Sequence, residues 1–98
     1  MTDVAAYEGE FTVRHTLGLH ARPAGRFVAL ASRFQAEIEV ARASDLSEWV
    51  NGRSVLSLLS LAAAFETRLR VRGVGADAEQ AVLALGQVLE VPLEGDGG

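Results

Sequence analysis

The chain has 98 residues, 49% of them apolar and 22% charged, which is the composition of one small domain around a single core. It contains no cysteine, which excludes disulfides, thiolate nucleophiles and cysteine-ligated zinc. A formal net charge of −4 argues against a general nucleic-acid binder, and the longest uncharged stretch, 54–65, falls short of the ~20 residues a membrane helix needs. The charge is unevenly placed. Asp3, Glu8 and Glu10 lie at one end and Glu90, Glu94 and Asp96 at the other, while all nine bases are arginines between Arg14 and Arg72. The body of the chain is therefore net positive, and a local arginine-lined anion site is compatible with an acidic whole. The opening MTDVAAYEGE has neither a basic start nor an apolar run, so no signal peptide is expected, and the expectation is a cytoplasmic protein.

Residues 10–15 alternate Phe11, Val13 and His15 against Glu10, Thr12 and Arg14, which predicts a first strand. From Ala21, apolar residues at Ala24, Phe27, Val28, Ala31 and Phe34 follow helical spacing, and Pro23 is tolerated because first-turn N–H groups lack intrahelical partners. A helix is thus expected from about His20. Ile38 and Val40 alternate with Glu37, Glu39 and Ala41 in a second strand; residues 43–48 read as a connection, and a short third strand falls at Trp49 and Val50 before the Asn51-Gly52 turn. Ser54 is a suitable N-cap for a short apolar helix carrying Val55, Leu56, Leu58, Leu59 and Leu61. Arg68, Arg70 and Arg72 alternate with Leu69, Val71 and Gly73 in a strand with arginines on its outer face. Asp77 and Gln80 have the spacing of a capping box before a last helix, with Ala78, Ala81, Val82, Leu85, Val88 and Leu89 on one face and Pro92 beyond its end.

The order is βαββαβα, an α+β fold in which three helices cover one face of a four-stranded, mostly antiparallel sheet. The expected core includes Phe11, Val13, Phe27, Val28, Ile38, Val40, Leu69, Val71, Val82 and Leu85. The expected organisation is an N-terminal extension over 1–9, a domain over 10–91 and a flexible, acidic, glycine-rich tail over 92–98.

Chemistry concentrates in Gly18-Leu19-His20-Ala21-Arg22-Pro23-Ala24, which sets an imidazole and a guanidinium at the start of a helix. A helix N-terminus carries roughly half a positive charge and outward N–H groups, here including that of Ala21, so it receives an anion without a metal. Neutral imidazole is nucleophilic, which makes His20 a candidate acceptor of a phosphoryl group at that position. Arg22 offers a planar fork of donors to phosphate oxygens, and Gly18 permits an unusual backbone before the helix. His15, the only other histidine, reads as a structural or surface residue; no third ligand accompanies the two histidines, so no metal and no cofactor are expected.

These residues, with Val50-Asn51-Gly52-Arg53-Ser54-Val55-Leu56 downstream, resemble the histidine-containing phosphocarrier family, HPr, of the bacterial phosphoenolpyruvate:sugar phosphotransferase system. The resemblance implies an open-faced β-sandwich. It implies that His20 accepts phosphate at its δ nitrogen from enzyme I and passes it to an enzyme IIA-type protein, with Arg22 stabilising the phosphate. It further implies a regulatory serine at Ser54, phosphorylated in part of the family by a dedicated kinase, and a docking surface of Val55, Leu56 and Leu59 ringed by Arg22, Arg26 and Arg53. Such a carrier is expected to be a monomer, and a transfer intermediate rather than a small-molecule enzyme.

The sequence departs from that family's pattern in places. The 43–48 connection is longer than is usual in sugar-transport members, Leu61-Ala62-Ala63-Ala64 replaces a common Leu-Gly ending, and Glu66 stands where a turn glycine is frequent. These features look more like members serving nitrogen-related or regulatory relays. A ferredoxin-like interaction module, with no need of His20, is the alternative from another class.

Overall fold

The strict alternation in residues 68–74 needs neighbours on both sides, and it has them. The computed structural model describes residues 5–93. Its elements are β1 (Ala6–Thr12), α1 (Ala21–Ala31), β2 (Glu37–Arg42), β3 (Asp45–Asn51), α2 (Val55–Leu59), β4 (Arg68–Val74) and α3 (Ala78–Glu90). The sheet order is β1-β4-β2-β3, and every pairing is antiparallel. Leu69, Val71 and Gly73 of β4 face inward and are buried, while Arg68, Arg70 and Arg72 face out. Period-two patterning thus sorts one strand between a core and an open surface.

All three helices lie on the inner face. α1 buries Pro23, Ala24, Phe27 and Ala31; α2 buries Leu58; α3 buries Ala78, Ala81, Val82, Leu85, Gly86 and Leu89. Together with Val13, Ile38, Val40, Leu69 and Val71 they form one core, with Phe11 and Val28 packed against it. Gly86 is there for the Phe11 ring, since a Cβ at residue 86 would penetrate it. Complete burial of Phe27 stabilises the fold by about 2–3 kcal/mol.

On the open face the charges pair across strands. Glu8 of β1 meets Arg70 at 2.5 Å, Glu10 meets Arg70 and Arg68 at 3.3 Å, and Glu39 of β2 meets Arg72 at 2.6 Å. The Arg72 guanidinium also lies 3.9 Å from the Trp49 ring centroid, a cation–π contact. The hydrogen bonds that Arg70 donates to Glu8, then to Glu10, raise its pKa above the ordinary value. The three β4 arginines are therefore engaged within the sheet.

Three boundaries and one capping bond differ from the sequence expectation. The first strand begins at Ala6, so Ala6–Gly9 pair with β4 and belong to the sheet, where an N-terminal extension was expected. The alternation beyond Thr12 is real but serves another purpose. Val13 exchanges backbone bonds with Thr67 and Glu66, Arg14 N–H donates to the Leu89 carbonyl, and fully buried His15 donates from Nε2 to the Val88 carbonyl at 2.7 Å. Those bonds carry the chain from the sheet edge onto α3, and they place His15 as a structural residue.

The third strand begins at Asp45, not Trp49, and only Ala43 and Ser44 separate it from β2. As an edge strand paired on one side alone, it has four exposed residues at its start, so no buried face imposed an apolar alternation there. The residues expected as a longer connection are thus a longer hairpin. Finally, Asp77 occupies the N-cap of α3 but makes no side-chain cap bond. Its backbone, at φ −106° and ψ 25°, is not extended, and its carboxylate instead accepts from the N–H groups of Gln35 and Ala36 at 2.9 and 2.8 Å. The tail expected over 92–98 is described only at Pro92 and Leu93; residues 94–98 lie outside the described residues.

Candidate functional site

His20 is the N-cap of α1, at φ −88° and ψ −171°, and Ala24 N–H donates to its carbonyl at 3.0 Å as the helix begins. Its imidazole does not cap the helix and is partly exposed. No acidic side chain sits in the first turn, so the positive end of the helix dipole is not offset by its own residues. Arg22 is exposed on that turn, and buried Pro23 adds no N–H while fixing the backbone. Arg26, one turn further on, lines a groove between α1 and α3 with Leu30, Val88 and Leu93. The structure thus brings Gly18, His20, Ala21 and Arg22 together at one helix end.

The loop leading into His20 is shaped from beneath. Gly18 is buried at φ +76°, a left-handed conformation, and a Cβ there would lie 2.6 Å from the Ala63 carbonyl oxygen and 3.1 Å from the Ala64 Cα. Its N–H donates to the His15 carbonyl, and the Leu19 N–H donates to the Ala63 carbonyl at 2.9 Å. Residues 61–64, the segment following α2, are therefore the floor of the His20 loop. This segment bends without glycine: Ala62 has φ +50° and Glu66 φ +74°. Left-handed backbone at a residue with a Cβ costs roughly 1–2 kcal/mol. The two positions where glycine is missing from the expected pattern are thus the two that retain a glycine-like conformation.

At the other end of α1 stands Arg53. Its Nη2 donates to the carbonyls of Phe34 and Ala36 at 2.6 and 2.9 Å, its Nε to that of Ala31 at 3.4 Å, and Nη1 lies 3.8 Å from Glu37. An eleven-residue helix is about 16 Å long, so Arg53 braces the end remote from His20. Asn51 Oδ1 in turn accepts from the Arg53 N–H at 2.8 Å, which fixes the turn before α2. Ser54 caps α2 as its residue type suggested: its hydroxyl oxygen accepts from the Ser57 N–H at 3.2 Å. Leu58 is core, Val55 and Leu59 are half-buried, and Leu56 is 79% exposed. The helix whose apolar residues fall on more than one face is divided by packing into a buried side and a side with one prominent leucine.

Two residues in or beneath the His20 loop are not marked by any pattern in the sequence. Leu17, in the His20 loop, is 66% exposed, and isolated apolar residues in loops carry no periodic signal. Arg42, at the end of β2, donates from Nη1 to the carbonyls of Leu61 at 2.7 Å and Ala62 at 3.4 Å, a connection across nineteen and twenty residues. No local pattern encodes such a reach. A surface hollow of about 490 Å3, lined by Glu10, Arg42, Ala43, Ser44, Thr67 and Arg68, includes no residue of the His20 loop. His20, at the N-terminal rim of α1, does not line that hollow. Among the described residues no helix is long and apolar enough to cross a membrane.

Known proteins resemble this arrangement along nearly its whole length. A family model described as "PTS HPr component phosphorylation site" matches residues 7–91. The phosphocarrier protein HPr of Pseudomonas putida is 36% identical over 80 residues, covering 82% of this chain and 87% of that protein. The multiphosphoryl transfer protein of Escherichia coli O157:H7 is 39% identical over 84 residues, which make up 86% of this chain and only 22% of the larger protein. Among solved structures, a phosphocarrier protein HPr from Bacillus anthracis str. Ames matches with a TM-score of 0.79 and 32% identity, covering 88% of this chain and 99% of the other.

Proposed function

This chain belongs to the HPr family of phosphotransferase-system phosphocarriers, and on that premise we propose that His20 takes a phosphoryl group from enzyme I and gives it to an enzyme IIA-type acceptor. The observation that carries this reading is the position of His20: an imidazole at the N-cap of α1 that does not cap it, with Arg22 on the same turn. The δ nitrogen attacks phosphorus in line with the departing donor atom, so a new N–P bond forms as the donor bond breaks. The reverse displacement hands the group on. Both steps depend on positioning and on stabilising charge spread over three oxygens. Arg22 supplies a guanidinium to those oxygens, the Ala21 amide belongs to the helix end that faces them, and Gly18 lets the loop take its shape.

Docking is assigned to α2 and the adjoining turn of α1. Leu56 is the exposed anchor, Val55 and Leu59 flank it, and Arg26 attracts acidic partners. Arg53, half-buried against backbone carbonyls, serves that surface by holding the start of α2. Ser54 is assigned as a regulatory acceptor for a serine kinase: a phosphate there adds negative charge beside the docking surface and weakens acidic partners. A monomer that leaves this surface open, working among soluble partners in the cytoplasm, suits a carrier visiting them in turn. The extended β2–β3 hairpin supports a nitrogen-related or regulatory branch for the relay.

The test is labelling by enzyme I and phosphoenolpyruvate. Acid-labile phosphate on the native chain and none on His20→Ala is the expected result; a native chain that no cognate donor labels would instead be a non-catalytic interaction module.

A further inference from the structure

The His20 loop rests on a turn whose conformation its own residues disfavour, and one arginine from a distant strand grips that turn. Leu19 is tied to the Ala63 carbonyl, and Gly18 is pressed against Ala63 and Ala64. Immediately before them Ala62 is left-handed, at φ +50°, with a Cβ that penalises the conformation. Nothing in the residues 61–64 themselves favours this bend over a right-handed continuation of α2. The Arg42 guanidinium does, because Nη1 donates to the Leu61 carbonyl at 2.7 Å and the Ala62 carbonyl at 3.4 Å where the chain turns away from the helix. A cation on carbonyls that follow a helix C-terminus is also electrostatically favourable.

From this chain of contacts we infer that Arg42 is a positioning residue for phosphoryl acceptance, acting through the 61–64 turn on the backbone of Leu19 and so on His20. The inference rests on the carrier reading of His20. Arg42 touches neither the imidazole loop nor the docking leucines in any contact described above; its effect passes through Ala63. It takes the place, in this chain, of a glycine at residue 62: where glycine would adopt the bend unaided, alanine is held in it.

That substitution of one device for the other is open to a direct experiment. The initial rate of His20 phosphorylation by enzyme I and phosphoenolpyruvate is measured for the full native chain, Arg42→Met, Ala62→Gly and the double variant. Measurements are made at a temperature where all four are folded, together with hydrogen exchange of the Leu19 amide. Arg42→Met is expected to slow acceptance about ten-fold or more, the scale on which misplacement of a reacting group acts, and to speed Leu19 exchange. Ala62→Gly alone is expected to match the native chain, and to restore most of the rate and the protection when added to Arg42→Met. Val82→Ala, which loosens the core under α3, is expected to lower thermal stability without slowing acceptance, separating positioning from stability at large. An unchanged rate in Arg42→Met overturns the assignment, as does a lost rate that Ala62→Gly fails to restore while it restores stability. A native chain that takes no label overturns the carrier reading and this assignment with it, whereas a labelled native chain beside an equally labelled Arg42→Met overturns this assignment alone.

Discussion

The two ends of α1 are built on opposite principles. At the C-terminal end the backbone carbonyls of Ala31, Phe34 and Ala36 receive the Arg53 guanidinium, and the N–H groups of Gln35 and Ala36 are taken by the Asp77 carboxylate. Two charged side chains from distant elements close that end. At the N-terminal end the N-cap is a histidine whose ring does not fold back to cap the helix, and no acid occupies the first turn. A serine or aspartate at residue 20 would be the stabilising choice, and under the proposed carrier function its absence is the cost of placing an imidazole there. The two ends of one helix are thus held by different means, charged side chains from elsewhere in the chain at one and an N-cap without a side-chain cap bond at the other.

Substitutions at the two ends should separate function from stability. The largest effect is expected for His20→Ala, which should abolish phosphoryl acceptance while costing about 1 kcal/mol or less of unfolding free energy, since His20 is partly exposed and outside the buried core cluster; labelling and urea titration on one preparation check both halves. Gly18→Ala comes next. The positive φ and the 2.6 Å approach to the Ala63 carbonyl require the loop to shift, with an expected loss of about 2–3 kcal/mol and of most acceptance activity. Arg53→Ala should show the reverse pattern from His20→Ala: about 2 kcal/mol lost in urea titration, from unmaking charge-assisted bonds to carbonyls, with His20 still labelled when partner is saturating. Equal loss of labelling in Arg53→Ala and His20→Ala would break the contrast.

A smaller effect is a gain. Ala62→Gly and Glu66→Gly should each stabilise the chain by about 1 kcal/mol, visible as a raised Tm, because both residues are left-handed. The smallest is read by pH. The N–H of Gln35, then that of Ala36, holds the Asp77 carboxyl below its ordinary value of 3.8. Its contribution is therefore complete above that value and declines as pH falls through the lowered one. Asp77→Asn should flatten the acid limb of the stability curve while leaving the neutral limb's shape unchanged; an identical acid limb would remove Asp77 from the C-terminal brace.

Much of this molecule is legible along the chain. The period-two runs of 37–41 and 68–73 mark two central strands because each has a buried face that tolerates only apolar residues. The 3.6-residue spacing of Ala24, Phe27 and Ala31 marks α1 for the same reason, and the proximity of His20, Arg22 and Pro23 marks the candidate site because close neighbours in sequence fall together at one helical turn. What could be read was set locally, by backbone period and by the burial of one face. The tertiary structure alone decided the rest. The edge strand at Asp45 has no buried face to write a pattern; Asp77 exchanged a local cap for amides 41 and 42 residues away; and Arg53 became a brace because α2 starts beside the end of α1. Arg42 reaches the floor of the His20 loop for a similar reason. A long polar side chain can satisfy its charge at any backbone group the fold brings near, and which one is near follows from the packing of elements far apart in the chain.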